Sequence, residues 1–205
     1  MKRAIQTSLP VLCLLAIGCP PPANQPAPPP RLEADPAPVV AEGWSELAPT
    51  TSDARTQRAA AARDALGRLK QRLLAAIQQG GPVEAVAVCQ EAAPQIAREV
   101  RAETGVSVGR TSFRVRNPDN APPAWTAPYV EERRATPLLL AGPKGSLRAL
   151  YPLKLAPLCV NCHGDPATFS PELKAALGER YPADQATGFS PGDLRGWFWV
   201  EVPGS

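Results

Sequence analysis

Histidine and methionine are almost absent from this chain. Of its 205 residues, one is a histidine, His163, and the single methionine is the initiator, Met1. A site that needs two imidazole ligands, or one imidazole and one methionine sulfur, is therefore excluded. A second histidine is also missing for acid–base work beside such a site, so we expect the chain not to be an enzyme.

Excess charge of one sign is absent too. The chain has 22 lysine and arginine residues against 19 acidic residues, which gives a formal net charge of +3. Loss of the two charges on Lys2 and Arg3 with an N-terminal signal segment would lower the net charge to +1. Such a balance provides no electrostatic attraction for nucleic acid, and we predict no nucleic-acid partner.

The N-terminal apolar stretch is too short to span a bilayer as a helix. It runs from Leu9 to Ile17, follows a positively charged start and ends at Ala16-Ile17-Gly18-Cys19, which is the form of a secretory signal. The cysteine after a small residue resembles a bacterial lipobox. This pattern predicts that residues 1–18 are a lipoprotein signal peptide and that Cys19 carries lipid. An ordinary cut nearby, with Cys19 left unmodified, is the alternative.

Proline, in contrast, is abundant after the signal. Nine of residues 20–38 are proline, which predicts a polyproline-rich tether over residues 19–50 instead of a folded element. Residues 51–205 then form one domain. Lipid and tether together predict attachment at the periplasmic face of the bacterial envelope. The outer membrane is favoured because Pro20, and not an aspartate, follows the lipid-bearing cysteine.

Two helices are predicted at the start of the domain. Thr51-Ser52-Asp53 offers N-caps for the first, whose leucines recur at helical spacing until Gly80-Gly81. Pro82 suits the first turn of a second helix that ends at Gly105, with a kink predicted at Pro94. The short joint between the two helices predicts an antiparallel hairpin.

Strands dominate the rest of the domain. The last strand, Leu194 to Val202, has apolar residues on both faces and is therefore expected at the centre of the sheet. The other predicted elements are strands at 106–108, 113–115, 138–140 and 147–151, a turn at 117–120, a helix within 123–135 and a helix from Ser170 to about Leu177. The fold class is therefore α+β, with an N-terminal helical pair and an antiparallel sheet.

The chemistry of the chain is concentrated in Cys159-Val160-Asn161-Cys162-His163, a C-x-x-C-H motif. This motif is typical of covalent c-type haem attachment, in which both thiols form thioethers and the adjacent imidazole is the proximal iron ligand. It predicts one covalently bound haem c, in agreement with export. A zinc site that adds Cys89 is one alternative, although adjacent Cys and His side chains are difficult to direct at one tetrahedral centre. A Cys159–Cys162 disulfide is the other, and it leaves His163 unexplained.

The sixth iron position remains open on these residues alone. Of five cysteines, Cys13 leaves with the signal, Cys19 carries lipid and two bind haem, which leaves Cys89 without a disulfide partner. Cys89 lies on an apolar helical stripe, where a buried thiol is most often a small hydrophobic residue. The other candidates are Lys70, Lys144, Lys154, Lys174, water or no ligand.

Several segments together resemble a family of bacterial c-type haem domains of unknown function. They are Ala87-Val88-Cys89-Gln90, Ala93-Pro94-Gln95-Ile96-Ala97, Val108-Gly109-Arg110-Thr111-Ser112, Arg116-Asn117-Pro118-Asp119-Asn120, Cys159 to Gly164, Tyr181-Pro182-Ala183-Asp184 and Gly192-Asp193-Leu194-Arg195-Gly196. The resemblance covers roughly residues 55–203. It implies a fold like that of PAS sensor domains and an uncommon His/Cys axial pair on the haem iron.

Carried onto this chain, the resemblance implies thioethers at Cys159 and Cys162, with His163 as proximal and Cys89 as distal ligand. Three arginines lie in the resembling segments and could pair with the haem propionates, or be ordinary surface residues: Arg110, Arg116 and Arg195. Asp184 and Asp193 are expected to form turns, and Trp197 and Trp199 to belong to the core.

Two functions follow from these predictions. The first is a module that senses redox state or a diatomic gas through exchange of a thiolate ligand, with an unknown signalling partner. The alternative is a membrane-tethered electron-transfer cytochrome c with an unknown redox partner. The two differ in whether the sixth ligand stays bound on reduction.

Overall fold

The computed structural model describes residues 40–205, so the predicted signal peptide, Cys19 and most of the predicted tether lie outside the described residues. The strands are β1 (Ser45–Glu46), β2 (Ser107–Thr111), β3 (Leu138–Ala141), β4 (Leu147–Lys154) and β5 (Leu194–Val202). The helices are α1 (Ala54–Thr104), α2 (Ala127–Glu131), α3 (Val160–His163) and α4 (Pro171–Arg180). No helix in this part of the chain is long and apolar enough to cross a membrane.

Helix α1 is the predicted pair of helices. Its backbone leaves helical angles at Gly81, where φ is 71° and ψ is −164°. The two halves run antiparallel, because Arg58 donates a hydrogen bond to the Thr104 carbonyl and Arg68 lies 4.0 Å from Glu99. The helical hairpin predicted from the sequence is therefore confirmed.

The ends of α1 also agree with the sequence signals. The Asp53 carboxylate accepts hydrogen bonds from the Arg55 and Thr56 N–H groups, and Gly105 closes the helix in the left-handed conformation. Pro94 lies inside the second half without any departure from helical backbone angles. The change of direction is located at Gly81, because glycine adopts a positive φ without steric cost and the proline ring does not require one.

Gly81 offers a direct test of the hairpin. We expect Gly81→Ala to lower the free energy of unfolding by about 1–3 kcal/mol, because a side chain at these backbone angles is strained. Gly67 is the matched control: it lies in the same helix, and no atom lies within 4 Å of a Cβ added there. Gly67→Ala should stabilise the protein by about 0.4–1 kcal/mol. Denaturant unfolding followed by circular dichroism measures both, and equal stabilities of the two variants would contradict the expectation.

The five strands form one antiparallel sheet in the order β1-β3-β4-β5-β2. As predicted, β5 is an interior strand with both faces covered. Phe198, Val200 and Val202 pack in the cluster that contains the inward face of α1, whereas Trp197 and Trp199 belong to the cluster on the other face with α2. The α+β class with an antiparallel sheet is confirmed.

The start of the folded region and one predicted strand are corrected by the structure. Ser45–Glu46 lies within the segment predicted as tether but pairs with β3, so the folded region begins before residue 51. The predicted strand at 113–115 is wrong. The Arg114 N–H donates to Ser112 Oγ, and Ser112 Oγ donates to the Arg195 carbonyl, so side-chain hydrogen bonds replace the ladder after Thr111.

Candidate functional site

The C-x-x-C-H segment begins directly after β4, where a 3₁₀ turn at Pro157–Cys159 leads into α3. Helical spacing places Cys159 and Cys162 on one side of this short element. The Cys162 Sγ atom lies 3.9 Å from the carbonyl oxygen of Pro82, in the joint of the α1 hairpin. The motif therefore lies between the sheet and the helical hairpin.

His163 presents one ring nitrogen for a ligand. Its Nδ1 atom lies 2.7 Å from the carbonyl oxygen of Ala186, and a carbonyl only accepts, so Nδ1 carries the proton. Burial lowers the pKa of His163 well below its usual value, and the guanidinium groups of Arg116 and Arg195 lower it further. The neutral imidazole therefore keeps the lone pair on Nε2, which is the state that binds a metal.

Arg116 holds the segments on both sides of His163. Its Nε atom lies 3.0 Å from Asp184 Oδ2, and its Nη2 atom donates to the carbonyls of Cys162 and Ala186. Asp184 Oδ1 in turn accepts from the Ala186 N–H at 2.7 Å. The predicted turn at Asp184 is confirmed, and the carboxylate also forms a buried ion pair that the sequence did not reveal.

Two adjoining cavities, of about 130 and 190 Å³, lie next to His163. Both are lined by Cys89, Arg110, Arg116, Leu153, His163 and Arg195. Cys159 and Cys162 line the larger one. The structure thus brings together all seven cofactor-binding residues predicted from the sequence. Among the lysines considered for the sixth iron position, Lys154 lines the larger cavity and the other three line neither.

The cavities carry uncompensated positive charge. Arg195 Nη1 donates to Ser112 Oγ and the Arg114 carbonyl, but its Nε atom is buried without a partner. The Arg110 guanidinium makes no hydrogen bond or salt bridge within residues 40–205. Burial, together with the nearby charges of Arg116 and Arg110, lowers the pKa of Arg195 to about 10. Guanidinium donors that line a cavity and lack a partner can form charge-assisted hydrogen bonds with carboxylates, so these groups fit a cofactor that carries carboxylates.

The alternatives for the motif find no support in this geometry. Cys89, Cys159 and Cys162 are all free thiols, so the described chain has no Cys159–Cys162 disulfide. Across residues 40–205 no group of three or more His, Cys, Asp or Glu side chains is arranged to hold a metal ion, which is what a zinc site would require.

Tyr181 is a cavity residue that the sequence analysis did not identify. Its side chain is buried beside α4 and lines the smaller cavity with Cys89 and His163. Burial, with a smaller contribution from Cys89, raises the pKa of Tyr181 to about 12, so the phenol stays a neutral hydrogen-bond donor. Its position in the resembling segment Tyr181–Asp184 was the available signal, but a tyrosine at a helix end is also typical of a core residue.

The fold and the site define a class of protein: a small α+β domain whose C-x-x-C-H segment and arginine-lined cavity are features of haem proteins. A family model described as Tll0287-like matches residues 41–203. The chain belongs to the Tll0287-like family.

Comparison with solved structures agrees with this family. The crystal structure of the cyanobacterial haem protein Tll0287 is 25% identical in sequence and superposes with a TM-score of 0.54. The match covers 73% of this chain and 97% of that protein. No curated protein sequence matches the chain. Membership of a haem-protein family is therefore confirmed, whereas the PAS-like fold, the thioethers and the His/Cys ligand pair stay predictions.

Proposed function

We propose that the chain is an envelope-tethered c-type monohaem protein that senses redox state or a diatomic gas through a haem held between His163 and Cys89. One observation carries the proposal: Cys89, Cys159, Cys162 and His163 line a single cavity with Arg110 and Arg195, which both keep guanidinium donors that have no partner among residues 40–205. The haem protein among the solved structures supports it. A bound haem would supply an iron that changes oxidation state and exchanges an axial ligand.

The residues divide the work of holding the cofactor. Cys159 and Cys162 would attach it through thioethers, and the hydrogen bond from His163 Nδ1 to the Ala186 carbonyl leaves Nε2 free to bind the iron. Arg110 and Arg195 have free donors for the propionates. Arg116, predicted from the sequence as a third propionate partner, has its guanidinium group engaged with Asp184 and two backbone carbonyls. We therefore assign the propionates to Arg110 and Arg195.

Cys89 connects the site to the shape of the domain. It belongs to α1, whereas His163 and the attachment cysteines follow β4, so a bond from Cys89 to the iron would tie the helical hairpin to the sheet side of the domain. Cys89 also lines a further cavity of about 300 Å³, which His163 does not line and which Ala93, Ala97 and Trp199 border. This cavity offers space for a displaced thiol. Loss of the bond between Cys89 and the iron would then loosen the packing of the helical hairpin. A change at the iron would in this way alter the surface of the domain.

A second function is supported by the surface beside the motif. Among the described residues, the exposed large apolar side chains are Val83 and Leu158, which are 37% and 39% exposed. Leu158 precedes Cys159, and Val83 follows Pro82, whose carbonyl lies near Cys162 Sγ. Apolar groups at the attachment edge of the cofactor suit contact with a redox partner. This arrangement favours a membrane-tethered electron-transfer cytochrome c as the alternative.

Spectroscopy separates the two functions. Absorption and electron paramagnetic resonance spectra are recorded for ferric and ferrous protein, with and without carbon monoxide and nitric oxide. A sensor should lose its sixth ligand on reduction or bind the gases. If the ferrous protein remains six-coordinate and ignores both gases, the sensor function fails and the electron carrier becomes the better account.

The location is proposed from the N-terminal sequence. We expect Cys19 to become the lipid-bearing N-terminus and to hold the domain at the periplasmic face of the envelope, with the outer membrane favoured. Cys19→Ala should move the protein from the membrane fraction to the soluble periplasmic fraction, as measured by fractionation and mass spectrometry of the N-terminus. Wild-type protein that is soluble with an unmodified N-terminus would disprove this anchor.

A further inference from the structure

The peptide group of Ala186 is held at both ends. Its carbonyl oxygen accepts from His163 Nδ1 at 2.7 Å and also from Arg116 Nη2 at 3.3 Å. Its N–H donates to Asp184 Oδ1 at 2.7 Å. Arg116 and Asp184 are themselves paired at 3.0 Å, with side chains that are 10% and 11% exposed. One buried ion pair therefore positions the carbonyl that orients His163.

The two donors that share the Ala186 carbonyl, His163 Nδ1 and Arg116 Nη2, have opposite effects on the basicity of the His163 imidazole. A hydrogen bond from Nδ1–H to a carbonyl increases the basicity of the imidazole and so strengthens donation from Nε2. A guanidinium group on the same oxygen withdraws electron density from it and weakens that effect. The Arg116 charge also disfavours the more positive ferric iron, whereas the Asp184 charge favours it, and burial limits screening of both.

We propose that Arg116 and Asp184 are positioning residues that set, with opposite signs, the electron donation of His163 and hence the reduction potential of the iron. The proposal rests on the proposed function, since it requires a haem on His163. In this proposal the buried Arg116–Asp184 pair controls the reduction potential, which is a different role from binding a propionate or stabilising the loop. The discriminating feature is the sign, because damage to the loop alone would move both variants in the same direction.

Redox titration of the haem-loaded protein tests the proposal. Arg116→Gln removes the positive charge and the competing donor, so the ferric-to-ferrous ratio at a fixed potential should rise about tenfold, a downward shift of about 59 mV for one electron. Asp184→Asn should shift the potential upward by a similar amount, because it leaves the Arg116 charge uncompensated. Arg116→Lys keeps the charge but loses the fork of guanidinium donors, so its ferric-to-ferrous ratio should change by less than that of Arg116→Gln.

Arg114→Gln is the matched control. Arg114 donates to the carbonyls of Gln185 and Thr187, on either side of Ala186, without contacting the Ala186 carbonyl. Its removal disturbs the same loop. We expect the ferric-to-ferrous ratio of this variant, at the same fixed potential, to stay within about threefold of the wild-type ratio. The double variant Arg116→Gln with Asp184→Asn should have a potential between those of the two single variants, because it removes both charges; since the two side chains are in contact, their effects need not add exactly.

The outcomes are distinguishable from failure of the proposed function. Covalent haem and the ferric spectrum are recorded for every variant, and wild-type protein without haem would refute the proposed function itself. If haem is retained but Arg116→Gln and Asp184→Asn shift the potential in the same direction, or not at all, the proposal is overturned. If Arg116→Gln fails to fold, the upward shift of Asp184→Asn relative to Arg116→Lys decides, and its absence overturns the proposal.

Discussion

Cys89→Ala should leave the haem covalently attached but change the ferric spectrum from low-spin to high-spin. Cys89 lines both cavities beside His163, and the chain offers no other histidine and no methionine except Met1 for the opposite face of the iron. Loss of a thiolate donor also destabilises ferric iron. Because axial ligands set haem potentials over about 0.8 V, an upward shift on the order of 100 mV is expected.

The competing ligand is Lys154, which lines the larger cavity. Lys154→Ala is therefore the control variant, and its ferric absorption and electron paramagnetic resonance spectra should match those of wild type. A low-spin spectrum that persists in Cys89→Ala and disappears in Lys154→Ala would assign the sixth position to the lysine. The same pair of variants tests the sensor function, because gas binding to the ferrous protein should change only when the true ligand is removed.

The double variant Cys159→Ala, Cys162→Ala should convert a haem that resists extraction into one that is fully extractable. In the wild type two thioethers are expected to keep the cofactor on the denatured chain, whereas the variant would hold it only through axial ligands and arginine contacts. Denatured protein is extracted with acidified organic solvent, and the haem is measured in each phase. The wild type should retain all of it in the protein phase.

Cys89→Ala is the control for this experiment, because it removes a thiol from the same cavity without touching either attachment site. It should retain the haem on extraction as the wild type does. Extractable haem in the wild type would disprove covalent attachment. Stoichiometric zinc by elemental analysis of the wild type would instead restore the zinc alternative.

Much of the fold was predictable because its signals are local. Asp53, Gly81 and Gly105 mark the ends and the reversal of α1 through capping and left-handed backbone preferences that belong to single residues. The apolar groups on both faces of β5 similarly indicated an interior strand. The segment at 113–115 failed because its pattern suits a strand, while Ser112 Oγ offered the backbone a competing hydrogen bond.

The site residues also separate into those with a local sequence signal and those that depend on tertiary packing. The attachment residues and His163 are contiguous, so the motif alone identified them, and the scarcity of histidine and methionine with the family resemblance directed attention to Cys89. By contrast, the carbonyl that orients His163 belongs to Ala186, 23 residues away, and the Arg116–Asp184 pair spans 68 residues. Backbone carbonyls carry no residue-type signal, and ion-pair partners depend on how distant segments pack, so these roles emerge only when the folded chain brings the segments together.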